Sequence, residues 1–274
     1  MTPVSLGEAG DHPSLSHLVQ LSTWNVQGKP LNEVMDFLEA SSLDFDVLCL
    51  QEVTAPNLHD QSFQFLEYPA LDVTVLLAKP PGCFRACALV LDSSHLRDVA
   101  RIRVGHSHLC AVIPFAGWGQ PVCVACARFP HSGRSLEELA DALQAFEQDM
   151  EHMVGRRRPT PVLLLGDLNV GLLGDASCRA HMVLSSLLGL GLHNFSGCTC
   201  PTRCGSHVRL DHIVYSDSFL STCRFIAPEE QLPWVVEEYC WEAQRGLKVD
   251  HVLLTHELLL DTGSNRSQSQ KRTL

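Results

Sequence analysis

The chain has 274 residues, 45% hydrophobic and 19% charged, which is enough apolar material for one large domain or two small ones. A formal net charge of -11 argues against a protein that coats nucleic acid non-specifically, since that affinity comes from clustered Lys and Arg releasing counterions. A nuclease that recruits its polyanion through divalent cations and a local basic rim stays compatible with the charge. No apolar run reaches the roughly 20 residues of a membrane helix, and residues 1–17 lack the basic start and apolar middle of a signal peptide. The expectation is a soluble intracellular protein, cytoplasmic or nuclear.

Residues 1–18 read as a flexible segment, residues 19–258 as one α/β domain without internal linker or repeat, and residues 259–274 as a flexible Ser/Gln/Arg/Lys tail. In chain order, Val19-Thr23, Val47-Leu50, Val73-Ala78, Ala86-Leu91, Leu109-Phe115, Val122-Ala127, Val162-Leu165, Leu210-Tyr215, Cys223-Ile226 and Val252-Thr255 read as strands. Several are continuously apolar, as strands buried on both faces are. Between them, Leu31, Val34, Met35 and Leu38 predict a helix over 31–39. Ser135 and Glu138 form a capping-box signal for a second, whose apolar face runs from Leu136 to Met153. A third is predicted from Arg179 to Leu188, with Gly189 as its stop.

The 12 Cys would suit a disulfide framework in a short secreted chain. Here Cys49, Cys87, Cys123 and Cys126 lie inside apolar runs, where Cys behaves as a small hydrophobe, so reduced thiols are expected.

Polar, metal-capable groups stand at the ends of these strands. Gly166-Asp167-Leu168-Asn169 follows Val162-Leu165 and puts two polar side chains at i and i+2, on one face if the backbone stays extended. Alone, this word is common turn chemistry. Asn25 follows Leu21-Trp24 and Glu52 follows Val47-Gln51, each offering oxygen of the kind that hard divalent cations take. Asn25 capping a turn before Gly28, and Glu52 as a solvated strand end, are the plainer alternatives. Asp250-His251 brings a carboxylate and an imidazole that exchanges a proton near neutral pH, and Asp211 adds an acid within Arg209-Ile213.

The ordered series Trp24-Asn25, Gln51-Glu52, Gly166-Asp167-Leu168-Asn169, Arg209-Leu210-Asp211 and Asp250-His251, each joined to a strand, resembles the endonuclease/exonuclease/phosphatase superfamily. That superfamily includes DNase I-like nucleases, abasic-site and retrotransposon endonucleases, inositol-polyphosphate phosphatases and neutral sphingomyelinases. Over roughly residues 19–258 the resemblance implies a four-layer α/β sandwich, two stacked mixed β-sheets flanked by helices. It implies that Asn25 and Glu52 line a site for Mg²⁺, with Mn²⁺ as an alternative, that Glu52 is the principal ligand and that Asp250 assists. Asp167 would position or deprotonate the attacking water, Asn169 would hydrogen-bond the scissile phosphate, and His251, oriented by Asp211, would stabilise the phosphoryl oxygens.

Arg128 departs from this pattern, standing where relatives usually place His or Tyr. Its planar fork can clamp a phosphate but cannot serve as a general acid at ordinary pH. His131 either takes over that role or begins the loop before the capped helix. Cys198, Cys200, Cys204 and His207 resemble zinc ligands without a standard paired spacing, and Arg156-Arg157-Arg158 reads as a solvated helix C-terminus. The function expected is a divalent-metal-dependent phosphodiester hydrolase, first of all a nuclease, with nucleic acid as substrate and a small phosphodiester as second candidate. The alternatives are an inositol-phosphate or lipid head-group phosphatase or phosphodiesterase, for which Phe115-Gly119 is the one modest docking loop, and a catalytically silent binding module of the same fold. The sequence points to no protein partner.

Overall fold

The computed structural model describes residues 17–41, 43, 45–81, 83–93, 99–114, 120–155, 160–172, 175–195, 209–220, 223–225, 249, 251 and 253–260. Two mixed sheets are stacked face to face. The first has the order β12-β13-β1-β2-β5-β4-β3, and the second β10-β11-β9-β8-β7-β6. In the first, β1 (His17–Asn25) runs parallel to β2 (Val47–Val53) and antiparallel to β13 (Leu254–Leu260). β3 (Phe63–Tyr68), β4 (Val73–Ala78) and β5 (Ala86–Asp92) form a meander beside β2, and β12 (Cys223–Phe225) closes the other edge.

In the second, β8 (Val122–Arg128) and β9 (Val162–Asp167) are the parallel pair. They are flanked by β7 (His108–Ile113) and β6 (Arg101–Val104) on one side, and by β11 (Asp211–Ser216) and β10 (Leu192–Phe195) on the other.

Both sheets are apolar on two faces, which is why their central strands read as continuous apolar runs. Val19, Leu21, Val47, Cys49, Val122, Val124, Cys126, Leu163, Leu165, Ile213 and Tyr215 fill the space between the sheets. The outer face of the first sheet carries α1 (Leu31–Ser41), whose Val34, Met35 and Leu38 pack with Trp24, Leu48 and Leu50. The outer face of the second carries α2 (Leu136–Val154) and α3 (Cys178–Gly189). A short α4 (Asp217–Leu220) follows β11. The expected four-layer sandwich is therefore the fold.

The capping box at Ser135 is formed, with Ser135 Oγ accepting from Glu138 N–H and the Glu138 carboxylate accepting from Ser135 N–H. Ser177, two residues before the start expected at Arg179, caps α3, which begins at Cys178. The strands missing from the sequence reading are β3, β6 and β10, all at sheet edges; in β3 and β6 exposed and half-exposed residues break the apolar run. β13 continues to Leu260, past the domain limit expected at 258. Cys49, Cys83, Cys87, Cys110, Cys123 and Cys126 are buried free thiols, and Cys178 is an exposed one. The Cys198–Cys204 cluster, His207, Arg156-Arg157-Arg158 and Phe115–Gly119 lie outside the described residues.

Candidate active site

Strand direction gathers the polar strand ends at one end of the sandwich. The C-termini of the parallel pairs β1–β2 and β8–β9 meet there with the N-terminus of β11, antiparallel to β9, and with His251, just before β13. Alternation then selects the face. Leu21 of β1, Leu163 and Leu165 of β9, Ile213 of β11 and Cys126 of β8 point between the sheets. Asn25, Asp167, Asp211 and Arg128, an even number of residues away, follow them to the same side.

Glu52 reaches that side only because β2 is irregular. Leu48, Leu50 and Val53 all pack on the α1 side, so the parity of the strand changes between Leu50 and Val53, where the pairing with β5 shifts. Glu52 occupies this bulge with a left-handed backbone, φ 58°, and its carboxylate joins the groups from β1 and β8. Such a conformation in a non-glycine residue is costly and is concentrated at functional sites.

Around Glu52 the donors are mostly cationic. Arg128 Nε and one of its terminal nitrogens both lie 2.7 Å from Glu52 Oε1, Asn25 Nδ2 donates to the same oxygen at 3.2 Å, and Arg85 Nη1 donates to Oε2 at 3.3 Å. Arg85, which precedes β5, has no counterpart in the sequence reading. The signal that places it is three-dimensional: Gly28, at φ 82°, leaves the space its guanidinium fills, and a Cβ there would lie 1.8 Å from Arg85 Nη1. Burial pulls the Arg128 pKa down, but the charges of Glu52 and Asp167 outweigh it and raise the pKa, so the guanidinium stays charged.

Asp167 stands in the opposite setting. It is 1% exposed, accepts from Asn25 Nδ2 at 2.9 Å and from Asn169 N–H at 3.0 Å, and pairs in register with both Arg128 and Asp211. Burial and the neighbouring Asp211 carboxylate raise its pKa to about 6, against opposing contributions from His251, Asn25 and Arg128. His251 Nδ1 lies 2.9 Å from Asp211 Oδ2, with both side chains buried. Trp24, locked in the α1-side core, donates from Nε1 to the His251 carbonyl at 3.0 Å and fixes its backbone.

The word Gly166-Asp167-Leu168-Asn169 is more than a turn. Gly166 lies within β9, where a Cβ would meet the Ala127 carbonyl oxygen at 1.9 Å, so the close approach of β8 and β9 requires glycine. Past Asp167 the backbone does not stay extended. Asn169 is left-handed, φ 54°, and donates from Nδ2 to the Phe129 carbonyl at 2.9 Å.

His131 is exposed, with Nδ1 accepting from Gly133 N–H at 3.0 Å; no hydrogen bond links it to the site among the described residues. His212 sits on the other face of β11, bonded to the carbonyls of Val170 and Arg209, and burial lowers its pKa to about 4. Asp250 lies outside the described residues.

A family model described as "Endonuclease/Exonuclease/phosphatase family" matches residues 22–266. The chain belongs to this family. No curated protein sequence matches the chain. Solved structures share the family's fold: the endonuclease domain of TRAS1, a telomere-specific non-LTR retrotransposon, is 16% identical with a TM-score of 0.60, covering 90% of this chain and 99% of that one. ANGEL2, a 2',3'-cyclic phosphatase in complex with adenosine-2',3'-vanadate, is 13% identical with a TM-score of 0.59, over 90% of this chain and 96% of that one. The AP endonuclease LMAP from Leishmania major is 14% identical with a TM-score of 0.58, over 89% of this chain and 88% of that one. Phosphoester hydrolysis is what the family is named for, and Asp167, Asp211 and His251 form a possible metal-holding group. No helix among the described residues is long and apolar enough to cross a membrane.

Proposed function

We propose that this family member is a divalent-metal-dependent phosphodiester hydrolase acting on nucleic acid, with a water held at Asp167 as nucleophile. The observation that carries the reading is the convergence of two hydrogen-bonded groups from both sheets, Asn25, Glu52, Arg128, Asp167 and Asn169 in one and Asp211 with His251 in the other, with ligand atoms of Asp167, Asp211 and His251 within 4.8 Å of one another. Attack on phosphorus builds charge on equatorial and leaving oxygens, so the reaction needs positive charge, fixed donors and an oriented water.

Each side chain has a role in that reaction. Asp167, held near 6, is mostly ionised at neutral pH yet more basic than an ordinary carboxylate, which suits it to accept the water's proton. Asn25 and the Asn169 N–H hold that carboxylate still. His251 Nδ1 faces Asp211 Oδ2, which leaves Nε2 as the atom that would hold an ion against the phosphoryl oxygens. Asn169 would contact the phosphate with the amide hydrogen not given to Phe129. Arg128 would hold a phosphate oxygen through the terminal nitrogen that does not face Glu52. His131 is the reserve candidate for proton donation and would need to move from its turn to act.

The donor chemistry fits a metal: Asp167, Asp211 and His251 bring ligand atoms within 4.8 Å of one another, and carboxylate oxygens with an imidazole suit Mg²⁺ or Mn²⁺. An ion bound there would supply fixed positive charge against the phosphoryl oxygens. Nucleic acid is placed first among substrates because two of the three neighbours above are endonucleases. Labelled single-stranded, duplex and abasic DNA, RNA and a chromogenic phosphodiester, incubated with Mg²⁺, Mn²⁺ or chelator, test the reading. Metal-requiring cleavage that Asp167→Ala abolishes is the expected result; full activity in that variant would overturn the assignment.

A further inference from the structure

Glu52 is the residue that the family resemblance makes the principal metal ligand, yet both of its carboxylate oxygens are already engaged by guanidinium groups. We propose that Arg128, backed by Arg85, is a resident cation at Glu52. It fills the corner a divalent ion would otherwise share with this carboxylate and leaves ion binding to Asp167, Asp211 and His251. The inference takes its location from the active site proposed above and adds which part of that site an ion occupies.

Four observations carry it. The arrangement is built into the backbone: Glu52 is aimed by a left-handed bulge, and Gly28, also at positive φ, vacates the volume that the Arg85 guanidinium fills. It is also sheltered, with side-chain exposures of 19% for Glu52, 23% for Arg128 and 35% for Arg85, so solvent screens the charges only in part. Two guanidiniums against one carboxylate leave this corner net positive, and a dication added beside them would meet like charge.

Finally, the neighbouring amide presents the wrong end. Asn25 Oδ1 accepts from Gln27 N–H at 3.0 Å, while Nδ2 points at the Glu52 and Asp167 carboxylates. A guanidinium has no lone pair to offer a metal and does not deprotonate, so Arg128 cannot convert into a ligand as His or Tyr could. Its remaining terminal nitrogen bonds no described residue and carries two N–H groups suited to a phosphate oxygen.

Mn²⁺ binding to the whole chain, followed by the electron paramagnetic resonance signal of the free ion, tests this without reference to cleavage. In the native protein Glu52→Gln is expected to change the dissociation constant by less than about twofold, and Arg128→Gln to tighten it by about tenfold. Combining the two substitutions should erase the gain. Thermal melting of each variant verifies folding, and Arg128→Lys, which keeps the charge, should bind Mn²⁺ as weakly as the native chain.

A loss of tenfold or more in Glu52→Gln alone, or an unchanged affinity in folded Arg128→Gln, would overturn the proposal. Because binding is the readout, a chain that follows the expected pattern yet cleaves nothing would sink the hydrolase reading and leave the resident cation standing.

Discussion

Glu52 and Asp167 are both carboxylates at the ends of buried strands, joined through the same Asn25 amide, yet their surroundings have opposite sign. Glu52 is met by Arg128 and Arg85; Asp167 accepts from neutral donors and faces the Asp211 carboxylate, with the charges of His251 and Arg128 offsetting its burial only in part. The first carboxylate is a scaffold for guanidiniums. The second is pushed toward taking up a proton, which is the property a base needs. The contrast teaches that a place at the end of a buried strand is not enough to assign a role; the sign of the neighbours decides it.

The largest effect should come from the Asp167 side. His251→Ala is expected to lower kcat/KM by about 10³-fold, since it removes a ligand of the ion that would stabilise the charge developing in the transition state. A loss below tenfold in steady-state cleavage would break the comparison. Asp211→Asn should cost about 10²-fold. In chelator, the Asp167 carboxyl should titrate at about pH 6, followed by its carbon chemical shift. Removing the Asp211 charge, the largest contribution to that pKa after burial, should shift the titration to lower pH. A titration that stays in place would remove Asp211 as its cause.

Stability gives the next effect. The folded-state pKa of Asp167 lies above the ordinary carboxylate value, so the folded protein binds this proton more tightly than the unfolded chain does. The group's contribution to stability therefore rises as pH falls from above 6 towards 4, and burying the ionised form costs about 3 kcal/mol at neutral pH. In chelator, denaturant unfolding of native protein and Asp167→Asn should show the difference shifting toward the native chain by up to about 3 kcal/mol between neutral pH and about pH 4. A difference that stays flat over that range would contradict the strained setting of Asp167.

The smallest expected effect is a distant control. Ser135→Ala removes the α2 capping box and should lower stability by about 1 kcal/mol with cleavage unchanged.

Much of the fold was legible because the central strands are buried on both faces and their apolar runs are unbroken. β3 is exposed along most of its length and β6 alternates exposed with half-exposed residues, so neither presents such a run. Asn25, Asp167, Asp211 and His251 were legible as polar residues terminating apolar strands. Arg85 was not, because its place beside Glu52 depends on the register of β5 against β2 and on the room at Gly28. The bulge at Glu52 left no mark in the sequence pattern, and the turn after Asp167 sends the Asn169 amide to the Phe129 carbonyl. His212, one residue from Asp211, shows how strand parity alone separates a bland histidine from a site residue.

The central claim, that Asp167 drives hydrolysis, is tested most directly by metal-supported cleavage of labelled DNA and RNA with native protein and Asp167→Asn side by side. The account predicts cleavage that requires the ion and drops by about 10³-fold in the variant while its fold persists. Equal rates for the two proteins, or cleavage that continues undiminished in chelator, would contradict it.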